Sequence, residues 1–285
     1  PYFNSQWADV RMVQADTSGI MLHTSVAPRI LTVTKLPTTT SFATFALATV
    51  TFTDGPYLDP PMDNSTLTPG AKTGSIAITA SAVTSINDGA GFLNTDVGRS
   101  MRLLSEPPDY NVTTAYTVGN SVKYFGSYFT CIQAGTGKIP TVSVAFWSID
   151  TAAAVWSWAR ITAVTTPLVV QATIMGVDLL YTGAMSVWRL GVFSDTTGWP
   201  TCGVYYEGRF WFSGVVPNRV DGSVANGSDL TTGLIDMTPT MGDGSVLDSS
   251  GISYIFNSDD INPIFWMIGI ESGILVGTLS SEWMI

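Results

Sequence analysis

Apolar residues along this chain fall into short runs, not helical stripes. Few segments place them at i, i+3, i+4 and i+7, whereas runs of Val, Ile, Thr and aromatics recur between Gly, Pro, Asn and Asp. GSIAITAS (74–81) alternates cleanly, and so does SVKYFGSYFTCI (121–132) around Gly126. FATFALATVTF (42–52) has an ambiguous period, and its β-branched and aromatic content leans it toward strand. The pattern predicts an all-β chain.

Three stretches share one grammar: ADTSGIMLHT (15–24), YYEGRFWFSG (205–214) and IESGILVGTL (270–279). Each runs from apolar residues to a polar residue and a glycine (Gly19, Gly208, Gly273), then directly into a second apolar run. That is a hairpin whose turn uses glycine for its tolerance of positive φ. A further apolar run follows each one: PRILTV (28–33), NRVDGSV (218–224) and SEWMI (281–285). Strand, hairpin, strand, loop, strand is the unit of a β-propeller blade. Any antiparallel sheet also makes such hairpins, and Gly126 shows the same grammar in another context. A ring needs about four to eight blades, so further blades are expected from chain outside this sequence. The start at Pro1 and the stop at Ile285 inside an apolar run fit a piece of a longer polypeptide. The expected organisation is a propeller-like scaffold in 1–36 and 191–285, interrupted by an insertion that opens with the Thr-rich linker KLPTTTS. Within it, 37–109 and 151–190 form a small β-barrel. A compact aromatic module, 110–150, is set into a barrel loop between SEPPDY and SIDTAAA.

Composition adds a constraint. Of 285 residues 45% are hydrophobic and only 12% charged, against about 25% charged in ordinary soluble domains. Such a chain has to cover much of its surface. No run of about 18 uncharged apolar residues exists to enter a membrane; the closest are broken by Arg160, Asp178 and Glu271. No signal-peptide pattern opens the chain. Burial between subunits, without stable membrane insertion, is the expectation. The net charge of −10 argues against tight binding of nucleic acid, whose phosphates are held by Lys and Arg. A passage through which DNA slides should not hold it. Cys131 and Cys202 form no CxxC pair and read as free, buried, small hydrophobes of a protein folded in a reducing cytosol. The sequons at Asn64, Asn111 and Asn226 are expected by chance in a Ser/Thr-rich chain.

Catalytic signatures are missing. The single histidine, His23, ends an apolar run and reads as structural. It cannot build a recognised zinc site with two distant cysteines. GxSxG, HExxH, GxxxxGK[ST] and GxGxxG are absent. The acidic pairs Asp243/Asp248 and Asp259/Asp260 lack calcium-loop spacing and read as turn residues. No cofactor is implied.

Several stretches in series resemble the nozzle, or tail tubular protein B, family of short-tailed bacteriophages. WADVRMVQADTSGIMLHTSVAPRILTV is similar to the family's opening, with Asp9, Gln14, Pro28, Arg29 and Leu31 on its pattern. FTDGPYLD (52–59), DVGRSMRL (96–103), WRLGVFSDTTGWP (188–200), VYYEGRFWFSG (204–214) and INPIFWMIGIESGILVGTLSSEW (261–283) follow in order. The family's tryptophan–glycine–serine strand is degraded here to DGSVANGSD (221–229), and the 110–150 module is not a fixed family part. That module resembles small chitin-binding-type carbohydrate modules at Tyr110, Tyr116, Gly119, Val122, Tyr124, Gly126, Tyr128, Pro140 and Trp147. Where such modules carry a tryptophan pair, this chain has Ile132 and Gln133. Val122, Tyr124, Tyr128 and Trp147 can form a small core of the module's own, which makes it a decoration; in the sharper reading Tyr110, with Tyr124, Tyr128 and Trp147, is the remaining candidate for a host glycan. The resemblance implies a structural virion protein made in the host cytoplasm. It would form a hexameric ring below portal and adaptor, meet adaptor and tail fibre proteins, and conduct DNA during ejection without sequence-specific binding. Two rival classes remain: a secreted or surface glycan-binding β protein, and a propeller glycosidase using Asp pairs.

Overall fold

The computed structural model describes residues 4–39, 41–257 and 261–285, so Asp259 and Asp260 lie outside the described residues. The fold is all-β. Short 3-10 turns at Asn4–Asp9, Asn87–Gly89 and Asn94–Asp96 are its helical parts among the described residues.

Three antiparallel meanders arise from the three repeated units. The first sheet runs Arg11–Ala15, Ser18–His23, Val26–Lys35 and Thr44–Thr49. The second runs Cys202–Tyr206, Arg209–Ser213, Arg219–Gly222 and Ile252–Ile255, and the third Ile264–Ile270, Gly273–Thr278 and Glu282–Met284. Their leading strands lie side by side, Arg11–Ala15 against Cys202–Tyr206 and that strand against Ile264–Ile270. The sheets thus stack face to face, with the second in the middle. A middle sheet needs apolar side chains at both strand parities, and the unbroken FWF run provides them: Arg209–Ser213 is buried at every position. Phe210 and Phe212 join Val13, Ile20, Leu22 and Ile30 of the first sheet in one core. Trp211 and Val220 join Ile264, Met267, Ile274 and Val276 of the third in another.

Two expectations need correction here. The scaffold does not pause at residue 36. Thr44–Thr49 pairs with Val26–Lys35, Leu47 opposite Leu31 and Phe45 opposite Val33. Thr51–Thr53 pairs in parallel with Leu234–Asp236. After Lys35 the chain returns to the same sheet, and Thr44–Thr49 completes the meander as its fourth strand. The glycines also differ from one another. Glu207 and Gly208 (φ 47° and 75°) make the two-residue turn with both central residues left-handed, the geometry that matches strand twist. Gly19 is not at positive φ; it sits inside a strand opposite Gln14, and Asp16 (φ 52°) supplies the left-handed residue. Absence of a side chain at Gly19 instead makes room for Met12, whose Sδ lies 2.8 Å from where a Cβ would stand. Gly273 (φ 150°) follows its turn, and a Cβ there would fall 2.2 Å from the Ile285 carbonyl oxygen.

The insertion holds a six-stranded antiparallel sheet in the order Trp188–Leu190, Ser100–Ser105, Val155–Thr166, Val169–Ile174, Ser75–Ala80, Leu67–Pro69. It curls until its edges meet: Leu67 and Met185 exchange backbone hydrogen bonds of 3.0 and 2.9 Å. Ile78, Leu103, Ile161, Val170 and Trp188 fill its interior. The aromatic module sits between two of its strands in sequence. It contains the sheet Ser121–Tyr124, Ser127–Cys131, Trp147–Ile149 and the pair Ala115–Tyr116 with Gly135–Thr136. Cys131 and Cys202 are free and buried.

Candidate interaction surfaces

In the module, Tyr110, Tyr116, Tyr124 and Trp147 converge on one cluster. Tyr110 stacks on Tyr116 at 5.5 Å and meets Tyr124 and Trp147 edge-on at 5.5 and 5.9 Å. Trp147 is 5% exposed and donates its indole N–H to the Lys138 carbonyl at 2.7 Å. It is the module's core, not a sugar platform: a domain of about forty residues has few other large side chains to bury. Tyr110 is half-buried, and its hydroxyl is enclosed without a hydrogen-bond partner. Burial, then the neighbouring Tyr116 and Tyr124, raises its pKa. Tyr128 stands apart and donates to Glu106 Oε2 at 2.8 Å, while Lys123 Nζ reaches Glu106 Oε1 at 2.7 Å. The aromatic that is open to solvent is Phe125, 88% exposed at the hairpin tip and 4.5 Å from the Tyr124 ring. Its place in the turn beside Gly126 was the sequence signal for that exposure.

A polar hub joins the curled sheet to the scaffold. Arg102 lies over the Tyr57 and Trp156 rings at 5.8 and 5.1 Å. Its Nη2 donates to the Thr240 carbonyl and hydroxyl, both at 2.8 Å, and Nε stands 3.9 Å from Asp54 Oδ1. Tyr57 donates to Asp54 at 2.7 Å. Burial raises the Asp54 pKa against the pull of Arg102, and burial together with Asp54 raises that of Tyr57 well above its usual range. Nearby, Arg219 grips Asp221 through Nε and Nη2 at 2.8–3.2 Å. Burial raises the Asp221 pKa, and Arg219 opposes it. Such enclosed pairs position chain segments: removal of one partner leaves an uncompensated charge.

His23 is buried, and its Nδ1 accepts from the Ser25 backbone N–H at 3.1 Å. Asp243 accepts from the Ser245 N–H and hydroxyl at 2.9 and 2.6 Å, which is turn chemistry. Among the described residues no group of three or more His, Cys, Asp or Glu could hold a metal ion, and no helix is long and apolar enough to cross a membrane.

No protein-family model and no curated protein matches the chain.

Rows of uncovered apolar side chains lie at the two ends of the stack. On the outer face of the third sheet, Ile268, Leu275 and Met284 stand in one cross-strand row, with Ile268 53% and Met284 63% exposed. Trp266 lies flat over Gly277 in the next row, where a Cβ would meet the indole at 2.0 Å. On the outer face of the first sheet, Leu31 pairs with Leu47 and Val33 with Phe45; Met12, Phe45 and Leu47 are exposed. Composition predicted apolar surface, but register was needed to locate it.

Proposed function

We propose that this chain is a structural subunit of a short-tailed phage nozzle, with its stacked meanders as blades of a propeller-like scaffold. Contacts with neighbouring subunits cover the end faces and form a ring of six around the DNA-ejection channel. The supporting observation is the pair of open apolar faces on a chain that is otherwise poor in charge. Scattered exposed apolar residues are ordinary, but rows of them on both ends of a sheet stack mark association surfaces. The net charge of −10 suits a wall along which DNA passes without being held. In this reading the module is a peripheral attachment, and any glycan contact falls to Phe125 and Tyr124 at its tip, since Trp147 is committed to the core. Native mass measurement together with electron microscopy, on the chain with its tail partners, tests the assembly. A six-membered ring is expected; a monomer at working concentration overturns it.

A further inference from the structure

Eight arginines serve this chain, and seven have acceptors. Arg99 pairs with Asp96, Arg219 with Asp221, and Arg102 reaches Asp54 and Thr240. Arg209 donates to the carbonyls of Ser223, Ser249, Ser250 and Asp248. Arg160 donates to those of Phe52 and Gly98, Arg11 to that of Ala8, and Arg29 to the Thr49 hydroxyl. Arg189 has no hydrogen-bond acceptor or carboxylate partner among the described residues, and its Nε is enclosed without one.

Its position sharpens this. Trp188–Leu190 pairs with Ser100–Ser105 so that Arg189 stands directly opposite Arg102. Like charges across a strand pair are destabilising. Arg102 has its compensation in Asp54 and two aromatic faces, and Arg189 has none. Arg189 lines a cleft of about 250 Å³ between curled sheet and scaffold, together with Tyr57, Asp59, Arg219, Pro239 and Ser253. Arg219 binds Asp221, the Tyr57 carbonyl and Ser253 through Nε and Nη2. Its Nη1 carries no hydrogen bond among the described residues. Asp59, exposed at the rim, is the one carboxylate in the lining, and it forms no ion pair with Arg189.

We propose that this cleft is an oxyanion site, in which Arg189, assisted by Arg219, holds a phosphate or carboxylate group. A guanidinium offers parallel N–H donors that match either group, and an anion there removes the repulsion between Arg189 and Arg102. Asp59 weakens the site and tunes it.

Thermal unfolding of the intact chain in sodium phosphate, in sodium acetate and in sodium chloride of equal ionic strength tests the assignment. At about ten times Kd the bound ion raises Tm by about 3 °C over chloride. Phosphate alone giving the shift identifies a phosphate group as the natural ligand, and acetate alone a carboxylate. Arg189→Gln abolishes the shift, with Tm in chloride equal to or above the wild type because the like-charge pair is gone. Arg189→Lys keeps part of the shift, and Asp59→Asn enlarges it. A wild type that responds to neither ion beyond chloride, or an Arg189→Gln protein that keeps the full shift, overturns the site.

Discussion

In the curled sheet the edge strand comes round to Met185, and Ile78, Leu103, Ile161, Val170 and Trp188 are enclosed. In the three-sheet stack only the central strands of the middle sheet, Arg209–Ser213 and Arg219–Gly222, are buried throughout, and the outer faces of the first and third carry Leu47, Phe45, Ile268 and Met284 into solvent. The difference is one of closure. A sheet that bends onto itself satisfies its edges and its core within one chain. A stack of flatter sheets always has two ends, and something outside it must cover them. The insertion is therefore the self-sufficient part, and the scaffold the part made for company.

The largest effect is expected in the closed region. Leu103→Ala, at a fully buried position, should lower unfolding free energy by about 3 kcal/mol in a urea titration. A loss below about 1 kcal/mol would mean that the curled sheet is loosely packed and the contrast with the stack is false. Next come the hairpin glycines. Gly208→Val places a β-branched residue at φ 75° with its Cβ 2.7 Å from Asn226 Oδ1, and should cost about 2 kcal/mol. Gly19→Ala meets only the flexible, exposed Met12 side chain and should stay within about 1 kcal/mol. Equal losses at the two would contradict the separate roles assigned to them. On the open face, Ile268→Asp should change monomer stability by no more than about 0.5 kcal/mol yet reduce ring assembly in native mass spectra. A large stability loss would show that this face is already covered within the subunit. The smallest effect is at the module's junction with the barrel. Burial and the Glu106 carboxylate push the Tyr128 pKa up to about 12. Folding keeps the proton on, so this contribution is intact below the ordinary tyrosine value of about 10. It is lost as pH rises toward 12. An ultraviolet titration should show Tyr128 ionising late, alongside Tyr57 and Tyr110, and Glu106→Gln should move one of these late steps earlier.

What the sequence shows of this follows from how local each feature is. The meanders were legible because each unit carries its hairpin and third strand within about twenty-five consecutive residues, and Glu207–Gly208 announces its own turn. The boundary at 36 was misplaced because KLPTTTS has linker composition; only pairing with Val26–Lys35 reveals Thr44–Thr49 as a fourth strand. Trp147 had two readings, module core and glycan contact, because an aromatic's spacing does not say which way it faces; its burial decides for the core. The arginine hub was invisible. Asp54, Tyr57, Arg102, Trp156, Arg189 and Thr240 come from distant segments, and it takes the register of Trp188–Leu190 on Ser100–Ser105 to set Arg189 against Arg102.

The first sheet's inner face waits for a distant partner. Val13, Ile20 and Leu22 are covered by Phe210 and Phe212, and Thr51–Thr53 finds its neighbour in Leu234–Asp236. On a ribosome adding about 5–20 residues each second, the intervening stretch takes roughly ten to forty seconds to emerge. The curled sheet is complete before then, while the amino-terminal meander stands with one apolar side bare. During that interval the bare side is the segment a holding chaperone would meet, and the insertion, whose core lies within 67–190, has all of its own residues available before the scaffold does.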